Sequence, residues 1–357
     1  MRIYSLTLVI TEECNFRCSY CYQQKRNRYL DKSIIKNALE FFFPFLHEEC
    51  YIHFYGGEPL LAFDRIKHTI NCIQGLNHEG KKTIRYTIST NGSLLNDKIL
   101  NFLSKHRFSV LLSFDGLAQD ITKQKGSFGR IVSNIKRSLE TPDISLETNS
   151  VFTQKTIGYF KRSIQFISDL GVPKIEFALS QIIPWEKSEL IRLKKELVNL
   201  RRMMLAIYKK TGRIPLKNYK KKKPKGIFVC NAGRDRLDLT PDGKLWGCSL
   251  FADYFKGKEK TEEYAKYCFG DFHSFVKNHD TIYPEILLNY SNLRMDQYYT
   301  SDIRCVECSD LYSCGACPAD NLLSSSDVRK VASWKCEIKK ILRRNKRLFW
   351  EELESQA

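Results

Sequence analysis

The feature that most restricts how this chain can fold is an alternation along its first half. Short, β-branched runs at 3–10, 51–55, 83–89, 109–114, 145–152 and 174–179 are separated by helix-like stretches near 32–43, 64–76, 96–106, 130–139 and 157–170. A strand, a crossover helix and a second strand beside the first make a right-handed βαβ unit, and repeating the unit gives a parallel sheet with helices outside it. Six such strands close only part of an eight-strand barrel. The expectation is an α/β fold: a partial (β/α)6 TIM-type barrel over residues 1–215, followed by an irregular, cysteine-rich segment over 216–357. Leu190, Leu193, Leu197, Leu200, Met204 and Ile207 recur at spacings of three and four and predict one long bridging helix with a packing stripe. Thr211-Gly212 ends it. The lysine-rich run 217–225 reads as a solvated linker rather than a contact for an acidic partner, and a basic helix over about 335–353 closes the chain.

Composition excludes several classes. Hydrophobic residues make up 43% and charged residues 27%, which is a globular balance. No apolar run approaches the roughly 20 residues that span a bilayer. The N-terminal run leads into Thr11-Glu12-Glu13, without the basic start and small-residue cleavage site of a signal peptide. A cytoplasmic location with no membrane partner is therefore expected. The 13 cysteines would stay reduced there, and their clustering points to metal rather than disulfides. The formal charge of +18, from 58 Lys and Arg against 40 Asp and Glu, would favour anionic partners, but reads first as the soluble surface of a lysine-rich proteome.

Cys14, Cys18 and Cys21 stand as C-x3-C-x2-C. Three thiolates this close can wrap one iron–sulfur cluster in a single loop. Three ligands on a four-iron cluster leave one iron open for a cofactor, much as a catalytic zinc keeps an open position. A structural zinc would need a fourth protein ligand, and no other His or Cys stands nearby; His47 and Cys50 read as a helix end and a strand start.

The triplet, with Tyr20 before its last cysteine, resembles the radical S-adenosylmethionine (SAM) superfamily. Gly56-Gly57-Glu58-Pro59 after the second strand, Ser89-Thr90-Asn91-Gly92 at the end of the third, Ser113-Phe114-Asp115-Gly116 at the end of the fourth and Asn149 in the fifth extend the resemblance. Carboxyl ends of barrel strands converge on one face, so these motifs would meet there. The resemblance implies that Cys14, Cys18 and Cys21 bind a [4Fe–4S] cluster whose open iron takes the amine and carboxylate of SAM. It implies that Gly56, Gly57 and Glu58 hold the methionyl amine, that Ser113, Asp115 and Asn149 contact the ribose or methionyl part, that Asn91 lies in the cofactor site, and that Tyr20 borders the adenine. One electron would then cleave SAM to a 5′-deoxyadenosyl radical, which takes a hydrogen atom from substrate.

Further cysteines stand at Cys230, Cys248, Cys305, Cys308, Cys314, Cys317 and Cys336. Pro241-Asp242-Gly243 is a turn signal, so Cys230 and Cys248 flank a hairpin. Paired C-x2-C units alone would suggest a zinc ribbon. All seven, with Gly243 five residues before Cys248, resemble the SPASM extension of radical SAM enzymes that modify peptides and proteins. That resemblance implies two auxiliary [4Fe–4S] clusters: Cys305, Cys308, Cys314 and Cys336 on one, and Cys230, Cys248 and Cys317 on the other, whose fourth site is open or not a cysteine. Three clusters in all would result. The short Cys314–Cys317 spacing departs from the pattern at Cys317. Cys50 and Cys72 read as packing residues, and Cys268 as outside the clusters.

The expected function is oxidative modification of a ribosomally synthesised peptide, by cross-linking, epimerisation or side-chain oxidation. Expected partners are the precursor peptide or protein substrate, an electron donor such as flavodoxin or ferredoxin, and a separate peptide-recognition protein, since no recognition domain precedes the first strand. Anaerobic sulfatase maturation, which makes formylglycine, is an alternative. Those enzymes carry a carboxylate where this chain has Ser249, which weakens that option. A basic iron–sulfur or zinc protein binding nucleic acid is an alternative of another class, but no RNA-recognition signature supports it.

Overall fold

The structure is a computed structural model, and it describes residues 1–180, 182–221, 230–293, 305, 307–310, 314 and 316–355. Strands β1 (Ile3–Thr11), β2 (Leu46–Gly56), β3 (Thr83–Thr90), β4 (Ser109–Ser113), β5 (Ser145–Phe152) and β6 (Ile175–Leu179) lie side by side, each parallel to the next. Between them run α1 (Lys32–Phe42), α2 (Phe63–Leu76), α3 (Asp97–Lys105), α4 (Gln119–Thr122), α5 (Phe128–Glu140) and α6 (Phe160–Asp169). The six-strand parallel unit expected from the alternation is present.

Side-chain alternation separates two faces of the sheet. On β5, Leu146, Thr148, Ser150 and Phe152 are buried, whereas Ser145, Glu147, Asn149 and Val151 are half-buried on the inner face. Phe152 meets Phe160 of α6 with ring centroids 4.8 Å apart, which marks the first set as the helix-facing one. Helix starts are fixed locally. The Asp31 side chain accepts from Ser33 N, and Asn96 accepts from Ile99 N.

The sheet does not end at β1. β7 (Arg236–Leu239) pairs parallel to it, and β8 (Lys244–Trp246) and β9 (Cys268–Asp271) continue antiparallel, giving nine strands in the order β6-β5-β4-β3-β2-β1-β7-β8-β9. The cysteine-rich segment thus extends the sheet of the first. The β7–β8 hairpin turns at Gly243 (φ +75°), as the Pro-Asp-Gly signal predicts.

Bridging helix α7 (Lys187–Thr211) buries Leu190, Leu193, Leu197, Leu200 and Met204 and stops at Gly212 in the left-handed conformation. The remaining helices are α8 (Ser249–Phe255), α9 (Glu262–Tyr267), α10 (Phe272–Ser291), α11 (Pro318–Ser325) and α12 (Ser333–Glu354). Arg201 ties α7 to α12 through Glu352 at 2.9 Å and Asn345 at 3.1 Å. The described part of the expected linker departs from a solvated run: Lys217 pairs with Glu147 and with Glu176, the latter at 3.0 Å. Beside it, the Asn218 amide bonds both the N–H and the carbonyl of Phe177, so a side chain closes the open edge of β6. The rest of that run, 222–229, lies outside the described residues. Among the described residues no helix is long and apolar enough to cross a membrane.

Candidate active site at the carboxyl ends of the strands

The loop of Cys14, Cys18 and Cys21 follows β1 and is bonded onto the end of β2. Gly57 N donates to Thr11 O at 2.9 Å and Glu58 N to Glu13 O at 2.8 Å. A Cβ on Gly57 would stand 2.2 Å from Glu13 O and 3.0 Å from Cys14 Cβ, and one on Gly56 (φ +145°) 2.3 Å from Thr11 O. The two glycines are therefore required by close backbone contact with the cysteine loop, before any ligand is considered. Within the loop, Cys21 N bonds Cys18 O at 3.1 Å, and Phe16 N donates to Cys14 Sγ at 3.4 Å.

Burial pushes the Cys18 thiol up to about 11; Lys123 opposes this, while Cys21 and Cys14 add to it. Burial also raises Cys14. The three thiols therefore feel one another. Among the described residues, no three Cys, His, Asp or Glu groups close around one point as the ligands of a single ion would. A four-iron cluster sets its thiolates wider apart, around a body rather than a point.

Two buried carboxylates brace this loop. Glu58 accepts from Leu60 N (3.1 Å), Thr90 Oγ1 (2.7 Å) and Asn91 N (2.7 Å), tying β2 to β3. Burial raises it to about 7 despite those bonds. The Asn91 amide then donates to Asn15 Oδ1 at 2.8 Å, inside the cysteine loop. Asp115 accepts from Val151 N (2.8 Å), Thr122 Oγ1 (2.5 Å) and Tyr20 OH (2.9 Å). Both carboxylates are fully buried and engaged within the protein. Glu58 and Asp115 thus position the loop, and Tyr20 is held by its hydroxyl.

Two polar atoms beside this framework make no hydrogen bond. Lys123 Nζ and Asn149 Oδ1 are both buried without a hydrogen bond. Such groups are costly unless a ligand satisfies them. One is a cation that suits a carboxylate; the other is an acceptor that suits a hydroxyl. Asn149 is in register with Ser113 on one side and Glu176 on the other. This donor and acceptor set fits SAM. Lys123 was missed from sequence because Ile121-Thr-Lys-Gln-Lys carries no periodic signal; only the fold brings it near Cys18 and Asp115. Glu176 was missed likewise.

The C-terminal thiols form two groups. Cys230 and Cys248 each feel Cys317, and Cys336 feels Cys308 and Cys314. Cys305 O accepts from Cys308 N at 3.2 Å. Cys317 thus stands nearer the hairpin pair than Cys336 does. Burial takes Cys248 to about 12. Ser249 N donates to Asp238 Oδ2 at 2.7 Å, and Arg236 holds both oxygens of Asp238 at 2.8 Å. The Tyr22 and Tyr55 hydroxyls, 2.9 Å apart, lie between the loop of Cys21 and the site of Cys248. Cys268 stands aside, with its thiol 3.4 Å from Tyr264 OH. Cys50 is buried in β2 and Cys72 half-buried in α2.

The sequence profile described as the Radical SAM superfamily matches residues 8–167. Radical SAM cyclopropyl synthase TigE of Paramaledivibacter caminithermalis is 25% identical over 325 residues, covering 82% of this chain and 68% of that protein. Among solved structures, native anSMEcpe with bound AdoMet superposes with a TM-score of 0.75 at 15% identity, over 99% of this chain and 100% of that one. Streptococcus suis SuiB bound to precursor peptide SuiA gives 0.61 at 16% identity, over 93% and 76%. These structures share the fold, and the sequence match spans the cysteine loop together with the strand ends that brace it. Residues 8–167 thus match the Radical SAM superfamily, and the chain as a whole is similar in sequence to a radical SAM cyclopropyl synthase and in fold to anSMEcpe and SuiB.

Proposed function

We propose that this enzyme oxidatively modifies a ribosomally made peptide. The observation that carries the reading is the pair of buried atoms without a hydrogen bond, Lys123 Nζ and Asn149 Oδ1, beside the three-cysteine loop. Cys14, Cys18 and Cys21 would hold a [4Fe–4S] cluster. Lys123 would take the SAM carboxylate, Asn149 and Ser113 the ribose, and the backbone at Gly56–Glu58 the amine. When bound, cluster and SAM supply a 5′-deoxyadenosyl radical that takes a hydrogen atom from the peptide. Glu58, Asn91 and Asp115 keep the loop in place while this happens.

Two auxiliary clusters, on Cys230, Cys248 and Cys317 and on Cys305, Cys308, Cys314 and Cys336, complete the reading. The Tyr22–Tyr55 pair and the buried Asp253 facing it line the space between the first of these and the SAM site. Burial raises the Asp253 carboxyl, and Lys256 holds it at 2.8 Å. In this reading Asp253 would accept a proton, in the absence of a carboxylate at Ser249. A peptide substrate is supported by SuiB, solved with its precursor peptide. The test is incubation of the reconstituted, reduced enzyme with SAM and precursor peptides encoded beside its gene. The reading predicts a peptide product that has lost hydrogen, seen by mass spectrometry. Stoichiometric SAM turnover with every such peptide left unchanged would point to another substrate class.

A further inference from the structure

Glu12, Lys256 and Asp253 make one bridge between the cysteine loop and the helix that follows Cys248. Lys256 Nζ stands 2.8 Å from Asp253 Oδ1 and 3.0 Å from Glu12 Oε1. The side chains of Lys256, Asp253 and Glu12 are 16%, 6% and 3% exposed. Glu12 follows β1 just before Cys14, and Lys256 closes α8, which begins directly after Cys248. From the other end of the loop, just after Cys21, the Gln23 amide donates to Asp253 Oδ2 at a long 3.4 Å. Both ends of the cysteine loop are thereby tied to one carboxylate. Ser249 lies one turn before Asp253 on α8, and both line one small cavity with Glu12, Gln23, Thr240 and Lys256.

A structural tie needs one cation and one anion. Here two carboxylates share one ammonium, which leaves a net negative charge where little water reaches, and such a charge is costly. The Glu12 side chain serves Lys256 alone: its Oε2 is buried and makes no hydrogen bond. Burial raises the Asp253 carboxyl, Lys256 and Gln23 lower it, and Glu12 raises it. The Tyr22 and Tyr55 hydroxyls face it from the loop and from β2. Among these neighbours Lys256 is the one cation, so it decides whether a buried carboxyl stays ionised. We propose that Lys256 is the positioning residue of Asp253: its ammonium, anchored by Glu12, aims the carboxylate at the space between the two cysteine sites and holds it in the ionised form that accepts a proton. The proposal rests on the reading of Asp253 as proton acceptor. The step it serves is a proton transfer. One bond to hydrogen breaks in the substrate, its electron pair stays there, and an O–H bond forms at Asp253 Oδ2, where Gln23 is the weaker partner. Nothing is oxidised or reduced in that step.

The experiment uses the reconstituted enzyme and two readouts. Infrared difference spectra over a pH series follow the carbonyl band of the protonated Asp253 carboxyl, identified by its loss in Asp253→Asn. Modified peptide is counted per 5′-deoxyadenosine formed, with a precursor peptide encoded beside the gene, so that a change in radical initiation cancels. Lys256→Gln keeps a hydrogen-bond donor without the charge, and Lys256→Arg keeps the charge. Iron content and circular dichroism confirm that each variant is folded and loaded, and Lys256→Met replaces Lys256→Gln should that one fail. Loss of the cation raises the carboxyl, so the ionised base appears only at higher pH. In Lys256→Gln the band should therefore persist to higher pH than in wild type. Product per 5′-deoxyadenosine should fall at least about tenfold at pH 7 and recover as pH rises. Lys256→Arg should restore both. A wild-type infrared titration in Lys256→Gln overturns the proposal, as does a loss of product that is equal at every pH, which is what a structural tie alone would give. Asp253→Asn making product as wild type does would overturn it together with the assignment of Asp253 as proton acceptor. Failure of wild type to change any such peptide would count against the functional reading itself, and the infrared titration would still decide the role of Lys256.

Discussion

Lys123 Nζ stops 3.7 Å from Asp115 Oδ1, with both side chains out of contact with water. That is an ion pair too long to be a hydrogen bond, so the ammonium keeps its donors for something else. Asp115 is filled by Tyr20, Thr122 and Val151 and cannot turn toward it. Replacing Lys123 by Met should lower SAM affinity about 10- to 100-fold, the range expected on losing a hydrogen bond to a charged group. Equilibrium binding to the reconstituted protein checks this, with iron content unchanged. Unaltered affinity would remove Lys123 from the site.

Gly57→Ala should destabilise the protein by about 1–3 kcal/mol, since its Cβ meets a backbone carbonyl that cannot move freely. Gly75→Ala is the control. It lies in α2 with no atom within 4 Å of an added Cβ, so it should gain about 0.5–1 kcal/mol of helix propensity. Denaturant melts of the two variants should move in opposite directions.

His53 makes a pH prediction. Burial, reinforced by Arg236 and opposed by Asp238, lowers it from 6.5 to about 4, and its ring lies 2.6 Å from Thr87 Oγ1 and is stacked on Tyr55. Between those values the unfolded chain takes up a proton that the folded one refuses. Stability from this group is complete above pH 6.5 and is lost as pH falls toward 4, up to about 3 kcal/mol. Glu58, raised from 4.5 to about 7, acts in the opposite sense, costing stability as pH rises through that range. The wild-type curve therefore mixes the two, and the difference between wild type and His53→Gln isolates the histidine. Chemical denaturation at pH 4.5 and pH 7 should show a smaller pH loss in the variant. An equal loss would mean that His53 is not the group responsible.

Cys317→Ala and Cys230→Ala should each remove the same spectroscopic species and about four irons of a total near twelve. Cys336→Ala should remove a different one. The reason is the grouping of thiols, Cys317 with Cys230 and Cys248, and Cys336 with Cys308 and Cys314. Electron paramagnetic resonance of the reduced variants distinguishes them, and a Cys317→Ala spectrum matching Cys336→Ala would reverse the assignment.

The parallel strands were readable because β-branched runs and amphipathic helices are local signals. The pairing of β7 with β1 was not, since it joins residues more than two hundred positions apart and the hairpin turn gives no hint of it. Motifs drew attention to the strand ends but not to the bonds made there: Glu58 and Asp115 accept from backbone and hydroxyl donors that only the fold brings to them. Lys217 misled in the same way. A lysine in a lysine-rich run reads as solvated, yet Glu147 and Glu176 reach it from two adjacent strands. Lys123, the cation most relevant to the site, is visible only once the burial of its surroundings is known.

The most direct test of the central claim is the formation of 5′-deoxyadenosine. The protein is reconstituted without oxygen, reduced with dithionite and given SAM, and wild type is compared with Cys18→Ala by mass spectrometry. The account predicts 5′-deoxyadenosine and methionine from wild type and neither from the variant. Equal amounts from both, or none from a fully iron-loaded wild type even with the precursor peptide present, would contradict it.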